Sequence, residues 1–193
     1  MPIVRDPEDK KERILSSALK LFTEKGFEGT PIPDLAKDAG IGAGTIYRYY
    51  KNKEELVNEL YRYWKNKLKE TLATGYPEKA KSKDLFLHLW MALANFYDKY
   101  PEAFEFLELH YHSPYLDQAS KKATTQTMEF ICGFLEEART KGDIRSDLGS
   151  MELVSLCYGS FVGMVKMAKG GYIQLSPETL RNSGLTLWKA LAK

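Results

Sequence analysis

From Glu8 to the C-terminus, apolar residues recur three and four positions apart, and Gly, Pro and Asn interrupt them at intervals suited to helices rather than strands. Apolar stripes of that period must be buried helix against helix, so the chain is expected to be all-α. Ile14, Leu15, Ala18, Leu19 and Phe22 form one stripe closed by Gly26, which predicts a first helix from about Asp9 to Lys25. Thr30 is placed as the N-cap of a second helix, with Pro31 at its first position, ending by Asp38 before Gly40. A short third helix follows, Ala43 to Tyr49. Asn52 and Glu55 have capping-box spacing for a fourth, Lys53 to about Leu72. Five more are expected: Ser82 to Lys99, Pro101 to His112, Pro114 to Lys141, Asp147 to Lys169 and Ser176 to Leu191, about nine in all.

Composition narrows the class without choosing a function. Hydrophobic residues at 44% and charged residues at 28% are close to globular averages. No run of some 18 consecutive apolar residues is present, and Met1 to Lys11 lacks a secretory apolar core, so a cytoplasmic protein with no membrane partner is expected. Cys132 and Cys157 are too far apart for a metal or redox motif and are taken as reduced core thiols. His110 and His112 diverge on a helix, so no metal site is expected, and no cofactor motif is found. The basic run from Lys65 to Lys83 reads as a solvated face. A net charge of +2 is too mild to identify a nucleic-acid binder.

The informative stretch is Thr30 to Leu56, TPIPDLAKDAGIGAGTIYRYYKNKEEL, two short helices joined by a Gly-containing turn in the manner of a helix-turn-helix. Leu35, Ala36, Ala39, Ile46 and Tyr50 can close onto the first helix. Thr45, Tyr47, Arg48 and Tyr49 are left outward. A recognition helix meets base edges by its N-terminal residues, which would be Ala43, Gly44 and Thr45, the last with a methyl and a hydroxyl for a thymine. Arg48 would reach a guanine or a phosphate. Residues 1–55 hold ten Lys/Arg and ten Asp/Glu, so affinity must come from where the cations point.

The run from Lys11 to Leu56 resembles the DNA-binding domain of the TetR family of regulators, through Ile14, Ala18, Phe22, Gly26-Phe27, Thr30, Leu35-Ala36, Ala39-Gly40, Gly44-Thr45-Ile46-Tyr47, Tyr49 and Lys53-Glu54-Glu55-Leu56. The resemblance implies a three-helix DNA-binding domain at 1–52 and a larger helical ligand-binding and dimerisation domain at 53–193. It implies a homodimer that represses from a double-stranded, palindromic DNA operator until a small-molecule effector binds, and no enzymatic activity. By the same similarity Tyr47, Lys53, Thr30 and Tyr49 would hold the DNA backbone. Gly42 stands where the family commonly has a capping Ser, and Tyr50 where Phe is commoner.

In the larger part, Tyr63, Trp90, Asn95, Phe104, Leu107, Tyr111, Met128, Cys157 and Phe161 are the candidates to line an apolar pocket, although most such aromatics in an α-helical domain are core. Ser155, Gly159 and Gly163 recur every four residues. Helical glycines cost about 1 kcal/mol each relative to Ala, so a close packing face is expected there, joined by Leu180, Gly184, Leu185 and Trp188 as a two-fold four-helix interface. Two other readings stay open: an α-helical enzyme or sensor that never binds DNA, for which no nucleophile-base set is found, and a DNA-binding activator or ligand-independent repressor.

Overall fold

The computed structural model describes residues 7–193; residues 1–6, with which the expected first domain begins, lie outside the described residues. Nine helices are present among them: α1 Pro7–Lys25, α2 Ile32–Asp38, α3 Ala43–Tyr49, α4 Lys53–Ala73, α5 Ser82–Lys99, α6 Pro101–His110, α7 Gln118–Thr140, α8 Ser150–Lys169 and α9 Pro177–Leu191. The one β-type pairing among the described residues is an isolated bridge between Ile144 and Ala192. The all-α architecture with a helix-turn-helix at its start is as expected. Two compact units form, one from the described residues up to Leu68 together with Tyr97–Thr124, the other from Lys69–Phe96 together with Thr125–Lys193.

In the first unit α1 is the central element. Ile14, Ala18 and Phe22 are fully buried along one side of it. Phe22 packs against Phe106 and His110 of α6, with ring centroids 6.5 and 6.1 Å away. Full burial of a side chain as large as Ile14 or Phe22 contributes about 1.5–3 kcal/mol. In the second unit Trp90 of α5 lies edge-on to Phe161 of α8 at 5.5 Å and donates from Nε1 to the Leu180 carbonyl at 2.7 Å. Phe86 packs on Trp188 at 5.7 Å.

Several ends differ from expectation, each because another group takes up the side chain or the backbone of the expected cap. Thr30 does not cap α2: its hydroxyl donates backward to the carbonyls of Leu21 (3.0 Å) and Gly26 (2.8 Å), and the extended Pro31 occupies the N-cap. The segment from Pro114 is not helical. Asn58 of α4 holds it open, donating to the Tyr115 carbonyl and accepting from the Asp117 N–H, both at 2.8 Å. Asp117 then starts α7 by accepting from the Ser120 N–H at 2.7 Å. α8 begins at Ser150 instead of Asp147, because Asp147 is engaged by Arg145 and the Leu148 carbonyl by Arg139. The expected caps at Asn52 and Ser176 are present, accepting from the N–H groups of Glu55 (2.8 Å) and Thr179 (3.0 Å).

The C-terminus of α2 is closed by Gly40, as its sequence suggests, and by a contact from α1 that local sequence does not announce. Gly40 takes φ +62°, and Ile41 N–H donates to the Ala36 carbonyl at 2.9 Å. From α1, the Arg13 guanidinium donates to the carbonyls of Ala39 and Gly40. A methyl group on Gly40 would come within 2.6 Å of Arg13 Nη2. Gly40→Ala therefore meets both a left-handed backbone and a clash, and is expected to lower stability by about 1–3 kcal/mol, with Arg13→Ala in a similar range. Urea unfolding of the two variants checks this; a neutral Gly40→Ala would contradict the turn geometry.

Candidate nucleic-acid interface

The turn Ala39–Gly42 sets α3 against α2, which in turn packs on α1. Leu35 and Ala36 of α2, Ala39 of the turn and Ile46 of α3 are buried, as is the α1 stripe. Tyr50, just past α3, is buried too, and its hydroxyl donates to Glu59 Oε1 at 3.2 Å, with Lys11 paired to the same carboxylate at 2.8 Å. That answers where the added hydroxyl goes. Burial and the neighbouring Glu59 carboxylate raise its pKa well above the usual tyrosine range. Gly42 is the N-cap of α3 and supplies no side-chain cap, so closure of that end rests on the backbone, with Thr45 N–H donating to the Gly42 carbonyl at 2.8 Å.

The opposite side of α3 is open. Tyr47 is 56% exposed and Arg48 and Gly44 are exposed, while Ala43, Thr45 and Tyr49 are half-buried. A methyl group on Gly44 would meet nothing within 4 Å. These six residues share one short helix. Lys53 stands at the start of α4, where its Nζ donates to the Phe27 carbonyl at 2.6 Å and lies 4.2 Å over the Phe27 ring. That ring stacks on Tyr115 at 4.1 Å. Thr30 is fully buried, its hydroxyl committed to the end of α1, so its side chain takes no part in the open face.

The net-zero balance of this region is resolved by pairing. Asp38 is bound by Lys20 at 2.8 Å, which lowers its pKa and raises that of the lysine; Asp34 is near Lys25 at 3.7 Å. Glu55 accepts from the Lys51 N–H. No acidic partner is found for Lys37 or Arg48 among the described residues. Lysines of α1 thus neutralise acids of α2, and cations of α2 and α3 stay available. Sequence patterning missed Arg13 and Lys20 as the pair that reach α2; their seven-residue spacing on one side of α1 is the signal that was there.

The nine pocket candidates are divided between the units. In the first, Phe104 and Leu107 are buried, Tyr111 is half-buried and Tyr63 is exposed beside Trp64. In the second, Trp90 and Phe161 are buried in ring contact, Met128 and Cys157 are half-buried and Asn95 is exposed. Burial pushes the Cys157 thiol up to about 11, which leaves it unreactive at neutral pH. His110 is buried, bonded through Nδ1 to the Tyr115 hydroxyl, and desolvation pushes it down to about 4; His112 is exposed.

The candidates for subunit contact also separate. Ser155, Gly159 and Gly163 lie exposed along α8, and a methyl group on either glycine would meet nothing within 4 Å. Met151, Leu156 and Met167 are exposed on the same helix, Leu156 by 54%. Leu180 and Leu185 of α9 are half-buried. Gly184 and Trp188 face inward instead: a methyl group on Gly184 would lie 2.6 Å from Trp90, so that glycine is small for the sake of its own core. By length and composition α8 is apolar enough to cross a membrane; Leu153, Val154, Phe161 and Val165 of that helix are buried, and Met151, Leu156 and Met167 are the large apolar side chains it leaves exposed.

Residues 14–60 match the family profile of bacterial regulatory proteins of the tetR family, and residues 62–193 match the tetracyclin repressor-like C-terminal domain. An uncharacterised HTH-type transcriptional regulator of Haemophilus influenzae is 24% identical over 185 residues, 96% of this chain and 97% of that one. A TetR family transcription regulator from Marinobacter aquaeolei has a similar fold, with a TM-score of 0.86 at 18% identity over 96% of this chain and 97% of that chain. FadR from Bacillus subtilis, solved in complex with stearoyl-CoA, is similar in fold at a TM-score of 0.75 and 19% identity, over 94% and 97% of the two chains. With both profiles together spanning almost the whole chain, and the helix-turn-helix in place at its start, the chain belongs to the TetR family of DNA-binding transcriptional regulators, a family of regulators and not of enzymes.

Proposed function

We propose that the protein is a cytoplasmic, homodimeric repressor that holds a palindromic operator through α3 and releases it when a small apolar or amphipathic effector enters the helical body. Residues 1–52 would serve DNA and residues 53–193 the effector and the second subunit. The observation that carries this reading is the open side of α3, where small residues at its N-terminus precede the exposed Tyr47 and Arg48. Small side chains let the helix approach the groove floor, and the exposed cation and phenol suit phosphates or base edges. Support for an effector comes from the similarly folded FadR, which was solved with stearoyl-CoA. Support for a covered α8 comes from its exposed apolar stripe.

The proposed release is a population shift. Two recognition helices must match half-sites about 34–36 Å apart, so a displacement of a few ångström disables one of them. The Lys53 bond to the Phe27 carbonyl ties the first turn of α4 to the loop after α1, so a ligand that moves α4 pulls on the platform of α3.

Fluorescence anisotropy with DNA from upstream of the protein's own gene tests the operator claim. Saturable binding that weakens steeply with salt is expected, and Tyr47→Ala and Arg48→Ala should each weaken it by about tenfold or more without changing thermal stability. Absence of binding at low salt would count against it. For the dimer, Gly159→Trp is the discriminating variant. Because Gly159 is exposed and a methyl group there meets nothing within 4 Å in its own chain, the subunit should fold normally yet sediment as a monomer and lose tight DNA binding. A variant that stays dimeric would move the interface elsewhere.

A further inference from the structure

Lys65 departs from the solvated basic face that its neighbours in sequence suggest. It is 5% exposed, whereas Lys79, Lys81 and Lys83 are exposed. Its Nζ lies 5.5 Å from the ring centroid of Tyr61, one turn earlier on α4, and 5.2 Å from that of Tyr111, just past α6. Among the described residues its ammonium has no hydrogen bond and no ion pair. Two ring faces compensate part of the charge, but they do not satisfy three N–H donors. Burial pushes its pKa down to about 8, and the nearby Glu108 of α6 opposes this in part. The Tyr61 hydroxyl is occupied by Thr124 at 3.0 Å, and the neighbouring His110 is held neutral by burial. The surroundings are thus aromatic and carry a cation that lacks an acceptor.

We propose that Lys65 is the anion-binding residue of the effector site, receiving the carboxylate of an amphipathic organic acid whose apolar part meets the half-buried Tyr111 ring. The proposal rests on the reading of the helical body as effector-binding and sharpens it from an apolar or amphipathic molecule to an acid. A carboxylate supplies what the site lacks: acceptors for an ammonium that burial largely removes from water, where a charge-assisted bond is stronger than on the surface.

The test compares decanoate with decanol, which share a chain length and differ in the head group. Tryptophan fluorescence of the full-length protein follows their binding to the wild type, Lys65→Met and Lys65→Arg, with circular dichroism confirming that each is folded. Methionine keeps a similar volume without charge, so the fold should persist. Decanoate is expected to bind the wild type and Lys65→Arg at least about tenfold more tightly than Lys65→Met, with decanol indifferent to the change. Above about pH 8 the free ammonium loses its proton, so decanoate affinity should fall with rising pH while decanol affinity does not. Decanoate that binds Lys65→Met as well as the wild type, or does not bind the wild type, overturns the proposal. Anisotropy with DNA on the same samples separates the two claims: a protein that binds DNA but fails these ligand tests loses the acid assignment and keeps the DNA-binding one.

Discussion

The direction in which α3 faces depends on Phe22. This ring is fully buried on α1, where it meets Phe27 at the turn out of that helix and Phe106 and His110 on α6. α2 and α3 have only seven residues each, too few to be stable alone. They persist because α2 packs on α1 and α3 on α2, with Leu35, Ala36 and Ile46 buried in the unit that Phe22 helps to close. Loss of the Phe22 ring would empty the centre of the first unit, at a cost of about 3–5 kcal/mol, and free the platform on which the open residues stand.

Charge is distributed by the same logic. α1 offers Arg13 and Lys20 to the end of α2, the first binding carbonyls left over by the helix and the second an aspartate. Each exposed pair is worth little by itself. Their consequence is positional: acids are drawn toward α1, and Lys37 and Arg48 are left without acidic partners among the described residues. A region with no net charge thereby acquires a face that suits a polyanion.

What was legible in the sequence was local. The bounds of α3, the caps at Asn52 and Ser176, and the closure of α1 and α2 by Gly26 and Gly40 follow from residues within one helical turn of each other. Thr30 failed as a cap because two carbonyls nine and four residues upstream compete for its hydroxyl. Pro114 failed as a helix start because Asn58, more than fifty residues away, takes the backbone of the segment that follows. Among the proposed contact residues, Gly184 looked like part of a small-residue face but yields room to Trp90, a partner on another helix. Lys65 looked solvated because the two rings that enclose it come from α4 and from beyond α6. For Pro114, Gly184 and Lys65 a partner from a distant part of the chain decided the outcome, Asn58, Trp90 and Tyr111 respectively, whereas for Thr30 nearer carbonyls won the hydroxyl.

The central claim is that two copies of the open α3 side read one duplex, and hydroxyl-radical footprinting on DNA enriched from a random pool by the purified protein measures this most directly. The account predicts two protected segments on one face of the duplex, their centres about one helical turn or a whole multiple apart, and both lost together in Gly159→Trp. A single protected segment unaffected by that substitution, or a pool from which no sequence is enriched, would contradict it.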